Sequence, residues 1–364
     1  MLNIAAMPMP FADTRADQSP AEAFDVTAMV SAAEWDEFVA GQPGATGYHA
    51  YQWRRVFERA FDHRCEYLAA FDPHGRVVGV LPLVVFGNRL AGRFLVSLPF
   101  VNHGGVLASS GAAAHALLEE AVRRGIDAGC GYIELRHIEQ RFPDLPSRSH
   151  RVTMRARLAG TEDAVWSGLD RKVRNLVRKA EKAGLTVELG GIELLEDFYG
   201  VFARNMRDLG TPVYPMAFFA EMLRQFPDAT RLFVVRQGRQ PVAGSITYAW
   251  GSTLEVPSAS SLREFRALCP NYLLYWAMMR EAVRRGCAVF DFGRSTPADG
   301  TYHFKTQWGA EPGPLCWEYR LITSKQVPGR DRHNRAFQPA INLWKRLPLK
   351  LANLIGPRVV RYLP

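Results

Sequence analysis

Cysteine is scarce in this chain: five residues in 364, an odd number with no CxxC pair. That usage excludes a disulfide framework and a structural zinc site, fits a reducing compartment, and leaves Cys130 and Cys287 to be read as core residues. No stretch supplies the roughly 20 successive apolar residues of a membrane-spanning helix. The first residues, MLNIAAMPMPFADTRADQSP, lack the basic start and apolar centre of a secretory signal. A cytoplasmic location is the expectation. Low-complexity tracts are also missing, and 48% hydrophobic with 22% charged residues excludes a disordered chain.

Acidic residues are the minority charge, 36 against 45 Lys and Arg, for a net charge of +9. An anionic partner follows as an expectation: nucleic acid, a phosphorylated substrate or anionic lipid. The excess is concentrated between Arg171 and Lys182 and in the tail, where nothing acidic follows Asp331.

What is present is a faint duplication. EYLAAFDPHGRVVGVLPLVV (66–85) and RLFVVRQGRQPVAGSITYAW (231–250) each read as strand, turn, strand. ALLEEAVRRGIDAGCGYIELR (116–136) and LLYWAMMREAVRRGCAVFDFGR (273–294) each read as a helix stopped at glycine, Gly129 or Gly286, then a strand. Both strands carry an acid at the same position, Glu134 and Asp291. Two copies with a period near 160 residues mean tandem α/β domains with mixed sheets, about the number that 364 residues accommodate.

The stretch FDFGRSTPADGTYHFKTQWG (290–309) contains the DFG of protein kinases, but no glycine-rich loop with a VAIK-like strand and no HRD precede it. Asp291 instead ends an apolar strand, where ligands gather in α/β folds, or else caps the backbone of its own loop. Arg294 follows, and the alternation through Tyr302, His303, Phe304 and Lys305 predicts a returning strand. Asp291, Arg294 and Lys305 would then converge on one cleft.

Upstream, Asn271 after Pro270 predicts a helix N-cap, preceded by Arg263. A helix from Trp166 to Gly184 has an apolar face of Leu169, Val173, Leu176, Val177 and Ala180. Arg171, Lys172, Arg174 and Arg178 lie on its other side, a solvated surface or a contact for phosphate or nucleic acid. Arg207 and Tyr214 flank a two-proline loop of the kind that borders clefts. The glycine pair in Phe100-Val101-Asn102-His103-Gly104-Gly105 predicts a tight turn. The cationic tail PAINLWKRLPLKLANLIGPRVVRYLP either lies on anionic membrane or docks on the protein itself.

WSGLDRKVRNLVRKAEKAGL, MRDLGTPVYP, PNYLLYW and FDFGRSTPADGTYHFKTQWGAEP, with the duplicated unit, resemble the FemAB family. The closer likeness is to its members associated with PEP-CTERM/exosortase and exopolysaccharide systems. The resemblance covers roughly Phe24 to Leu321. It implies an α/β fold of two tandem GNAT-like acyltransferase domains: a flexible N-terminus over 1–20, domains over 21–155 and 156–326, the second holding the active site, and a basic amphipathic tail over 327–364. It also implies that Lys305, in Phe304-Lys305-Thr306-Gln307-Trp308-Gly309, is the family's active-site lysine. The expected catalytic pair is Lys305 and Asp291, with Arg294, Tyr302, Tyr214, Asn271, Arg263 and Arg207 binding substrate.

No metal and no permanently bound cofactor is expected. The chain has no room for the family's long helical-hairpin arm and shows no glycine-rich acyl-CoA loop, so the donor stays open between aminoacyl-tRNA and acyl-CoA. The implied function is N-acyl or aminoacyl transfer to a peptidoglycan or exopolysaccharide precursor in the cytoplasm, possible partners being tRNA and the inner face of an anionic membrane. The alternatives are an acyl-CoA-dependent GNAT enzyme and a non-catalytic membrane-docking adaptor.

Overall fold

The computed structural model describes residues 24–88, 92–328 and 338–363, and the N-terminus expected to be flexible lies outside them. The strands are β1 (Asp25–Thr27), β2 (Cys65–Phe71), β3 (Val77–Asn88), β4 (Gly92–Val96), β5 (Leu107–Ala108), β6 (Cys130–His137), β7 (Ser147–Arg148), β8 (Val152–Arg157), β9 (Leu185–Gly190), β10 (Thr230–Gln237), β11 (Gln240–Trp250), β12 (Thr253–Ser261), β13 (Val289–Ser295), β14 (Glu311–Pro314) and β15 (Cys316–Leu321). The helices are α1 (Ala32–Gly41), α2 (Trp53–Phe61), α3 (Gly111–Asp127), α4 (Glu162–Gly168), α5 (Arg171–Lys182), α6 (Leu195–Leu209), α7 (Met216–Gln225), α8 (Pro270–Arg284), α9 (Gly300–Thr306), α10 (Gln338–Arg346) and α11 (Leu349–Val360).

Two mixed sheets result, and they are built alike. The first runs β1-β2-β3-β4-β6-β15-β7, with β5 beside β3; the second runs β9-β10-β11-β12-β13-β8-β14. In each, a four-strand antiparallel meander leads to a helix, α3 or α8, which ends in a left-handed glycine, Gly129 (φ 69°) or Gly286 (φ 72°). The chain then returns as a strand parallel to the last of the meander, β6 beside β4 and β13 beside β12.

The next strand in each sheet comes from the other half of the chain. β8 follows the first unit but pairs with β13, and β15 follows the second unit but pairs with β6. A division at 155 therefore falls inside β8, and β15, within 156–326, belongs to the first sheet.

Two elements differ from the sequence reading. The helix expected over 166–184 is two, because Leu169 is extended (φ −70°, ψ 146°) and Asp170 restarts the helix by accepting the Lys172 amide at 2.6 Å. The strand expected through Tyr302–Lys305 is helix α9, with the His303 amide bonded to the Asp299 carbonyl. Four alternating residues are too few to separate the two periods, and Phe304 with Trp308, one turn apart, pack on Tyr272 and Tyr275 as a helical pair.

The largest apolar core joins the halves. Trp53, Phe57 and Phe61 of α2 meet Phe218 and Phe226, from α7 and just after it, and Tyr248 of β11. Gly47 is needed at this seam, since its carbonyl accepts from Trp53 Nε1 (2.9 Å) and Tyr248 Oη (2.8 Å) while a Cβ there would collide with the Tyr248 ring. Gly47→Ala is expected to cost about 1–3 kcal/mol by overpacking. An unchanged urea midpoint would show that the ring yields freely.

The tail docks on the second half. α10 and α11 pack on α6, Arg207 Nη1 donates to the Leu347 carbonyl between them (3.1 Å), and a Cβ on Gly356 would lie 2.8 Å from Val213 Cγ1.

Candidate active site

β12 and β13 pair in parallel over three residues only, ending with Glu255 beside Asp291. Beyond that pair β12 keeps to β11, while β13 bulges at Gly293 (φ 72°) and follows β8. Two carboxylates thus stand side by side, both buried, where neighbouring strands part.

Asp291 is 1% exposed and held on every side. Its Oδ1 accepts from Thr153 Oγ1 and the Gly293 amide, both at 2.8 Å, and its Oδ2 from Arg155 Nε at 2.7 Å. Thr153 and Arg155 lie on the exchanged strand β8. The bond from the Gly293 amide realises the loop-capping reading of Asp291.

Glu255 takes its partners from the first half, with Oε1 accepting from Tyr48 Oη (2.8 Å) and Asn102 Nδ2 (2.7 Å). Burial pushes its carboxyl up to about 8, and the Asp291 charge adds to the push. His103 closes the cluster; burial holds its imidazole down at about 4, so it is neutral, and its Nδ1 has no hydrogen-bond partner. Lys305 is buried on α9, its Nζ donating to the carbonyls of Gly293 (3.0 Å) and Arg294 (2.9 Å). Burial lowers its ammonium to about 8 against the stabilising charge of Asp291.

His103, Glu255 and Asp291 bring ligating atoms within 4.8 Å of one another. The donor set suits a shared proton better than a divalent ion, because both Asp291 oxygens and Glu255 Oε1 already have donors and Arg155 and Lys305 bring positive charge. The arrangement brings together a carboxyl that ionises near pH 8, a second carboxylate beside it, and a lysine held by the carbonyls that the strand bulge turns out of the ladder.

Of the residues singled out in the sequence, the structure brings Asp291 and Lys305 together. Arg294 contributes its carbonyl to Lys305, while its guanidinium lies 6.0 Å from the Trp317 ring. Tyr302 packs against the second-half core beside His303. Asn271 is not the N-cap of α8. Cys269, left-handed at φ 61°, takes that place and Pro270 is the first helical residue, as proline's fixed φ favours. Arg263 is exposed on the turn before α8. Tyr214 packs against Phe100 and, edge-on, against Phe218 in the shared core, its carbonyl accepting from Tyr199 Oη at 2.9 Å. Arg207 pairs with Asp208 and pins the tail.

Arg171, Lys172 and Arg178 are exposed on α5, with Arg174 half-buried. α5 packs on α8, and Arg178 lies over Trp166 at 5.4 Å.

Sequence reasoning missed Glu255, Tyr48, Thr153 and Arg155, and took Asn102 and His103 for a simple turn. One signal was available for Glu255: a lone acid flanked by the apolar Leu254 and Val256.

Residues 167–306 match the family described as an acetyltransferase (GNAT) domain. No curated protein matches the chain. Among solved structures, FemX is similar with a TM-score of 0.64 at 16% identity, over 82% of this chain and 98% of that one. The C-terminal domain of a putative lysylphosphatidylglycerol synthetase from Agrobacterium fabrum follows at 0.55 and 10%, over 90% and 96%. A tandem GNAT protein from the clavulanic acid biosynthesis pathway is similar at 0.52 and 12%, over 84% and 100%. At such identities the likeness is one of fold. The chain is a mixed α/β protein with the fold of two tandem GNAT-like domains, and the acetyltransferase (GNAT) match lies in its second half.

Proposed function

We propose that the protein is an N-acyl or aminoacyl transferase acting on a cell-envelope or polysaccharide precursor, with its active site at the Glu255–Asp291–Lys305 cluster. The observation that carries this reading is the pair of buried carboxylates with a buried lysine where β12 and β13 part, inside the segment that matches the acetyltransferase family. The FemAB resemblance and the fold shared with FemX and a lysylphosphatidylglycerol synthetase support an envelope acceptor. An acyl thioester of coenzyme A is the first donor to test, because the matched family is one of acetyltransferases.

In the reaction an acceptor amine attacks the acyl carbonyl. A C–N bond forms, the C–S bond of the thioester breaks, and the thiolate leaves to take up a proton. Glu255 accepts the proton the amine loses, and its elevated position makes it a base strong enough for that task near pH 8. Lys305 stabilises the charge that develops on the carbonyl oxygen, a contribution of about 3 kcal/mol by analogy with one oxyanion donor. Asp291, saturated by Thr153, Arg155 and Gly293, holds the loop and supports the Lys305 charge. An adaptor that only docked would gain nothing from a carboxylate kept in so costly a position.

The test offers the protein acyl-CoAs and aminoacyl-tRNA with nucleotide-linked sugars and amine acceptors. Transfer from one donor is expected, falling about 100-fold in Lys305→Ala with the melting temperature retained. Undiminished turnover in that variant rejects Lys305 as catalytic, and no transfer from any donor favours the adaptor.

The pH profile is a further expectation. Glu255 gains its basic form, and Lys305 loses its charge, as pH rises through about 8, so activity peaks there. Lys305→Arg, which keeps its charge, extends the alkaline limb; a profile flat from pH 6 to 10, measured at saturating acceptor, counts against both roles.

A further inference from the structure

We propose that helices α10 and α11 form a docking surface for an anionic lipid bilayer, independent of the reaction. α11 is inside out for a helix that only packs on its own protein. It turns Ala352, Gly356 and Val360 inward, one helical turn apart, and Gly356 lets the backbone come against Val213. The large apolar residues go the other way, with Leu351 45%, Leu354 57% and Ile355 38% exposed. An ordinary surface helix buries its leucines and shows its small residues to water.

α10 continues the pattern with Leu343 at 66%, and Leu209 of the body, 56% exposed, precedes Gly210, on which Ile341 rests.

Charge selects the occupant. Lys345, Arg346, Lys350 and Arg358 accompany the exposed leucines, and no acid follows Asp331 in the sequence. A second copy of this face would bring like charges together, whereas an anionic bilayer accepts both the apolar side chains and the cations. Docking of this kind is interfacial: among the described residues no helix is long and apolar enough to cross a membrane.

The experiment is co-sedimentation of the full chain with vesicles of phosphatidylcholine alone and of phosphatidylcholine with about one third phosphatidylglycerol. Binding to the anionic vesicles, weakening with salt, is expected. Leu351→Asp with Leu354→Asp is expected to cut the partition at least tenfold, and Lys345→Glu with Lys350→Glu to remove the preference for anionic vesicles. Both pairs of residues are exposed, and circular-dichroism melts check that each variant folds; if one does not, the other decides. The proposal is overturned if the wild type ignores anionic vesicles, if folded variants bind as it does, or if sedimentation velocity shows a dimer that the leucine variant splits without vesicle binding.

Discussion

Glu255→Gln is expected to cut acyl transfer by roughly 10²- to 10⁴-fold, the range of a general base, and at the same time to make the protein more stable at pH 8. The two effects share one cause. In the unfolded chain the Glu255 carboxyl ionises near 4.5, while in the fold it holds its proton up to about 8. Between those values the folded state binds the proton more tightly, so stability falls as pH rises through the window and levels off above it.

Glutamine keeps an oxygen to accept from Tyr48 and Asn102, yet never ionises. The gain at pH 8 is expected to be on the order of 1–3 kcal/mol and to vanish near pH 4.5. Denaturation of both proteins at pH 5 and pH 8 measures it without a substrate. A variant less stable than the wild type at pH 8 would mean that Glu255 is ionised and paired in the fold, and would remove its role as a base. A more stable, inactive variant would show a group retained for chemistry at a cost in stability.

The second large effect lies in the first half, at the position equivalent to Asp291. Glu134 is there, and it is answered from its own strand: Arg136 Nη2 lies 2.7 Å from its carboxylate, with both side chains almost fully buried. Arg136 also donates Nη1 to the carbonyls of Leu98 (3.3 Å) and Val101 (3.1 Å) and stacks 4.2 Å from the Trp317 ring of β15. Leu98 (φ 55°) and Phe100 (φ 68°) are non-glycine residues in the left-handed region, a strain that these bonds hold in place.

Arg136→Ala leaves the Glu134 charge buried and alone, and is expected to cost about 3–5 kcal/mol. It also loosens the loop that carries Asn102 to Glu255. Arg136→Ala with Glu134→Ala should recover part of the loss, since no charge is then stranded. If the single variant unfolds at the wild-type denaturant midpoint, the pair is not carrying the loop.

Legibility from sequence divides along physical lines. The hairpins, the glycine-stopped helices and the strand-end acid are local signals, and Asp291 and Lys305 could be brought together because they lie only 14 residues apart in sequence, across one short loop. Glu255 did not, because its partners Tyr48 and Asn102 lie 207 and 153 residues away and no periodicity encodes such a distance. Arg155 escaped for a related reason. Alternation in β8 tells which residues face the core but not which sheet the strand completes. Asn271 was misplaced by one turn of logic: asparagine is a good cap, but a proline directly before it can be the helix's first residue.

The reciprocal exchange of β8 and β15 sets the order in which this protein can be made. While the chain emerges from the ribosome, the first sheet presents β6 with an open edge until Cys316–Leu321 have been synthesised, and its tandem neighbour has been waiting with β8 already in hand. The first sheet is therefore complete only after the second unit has been synthesised, unlike an N-terminal domain that closes before the next begins. The two halves must finish together, and an unpaired β6 edge is the site at which stalled or truncated chains would first aggregate.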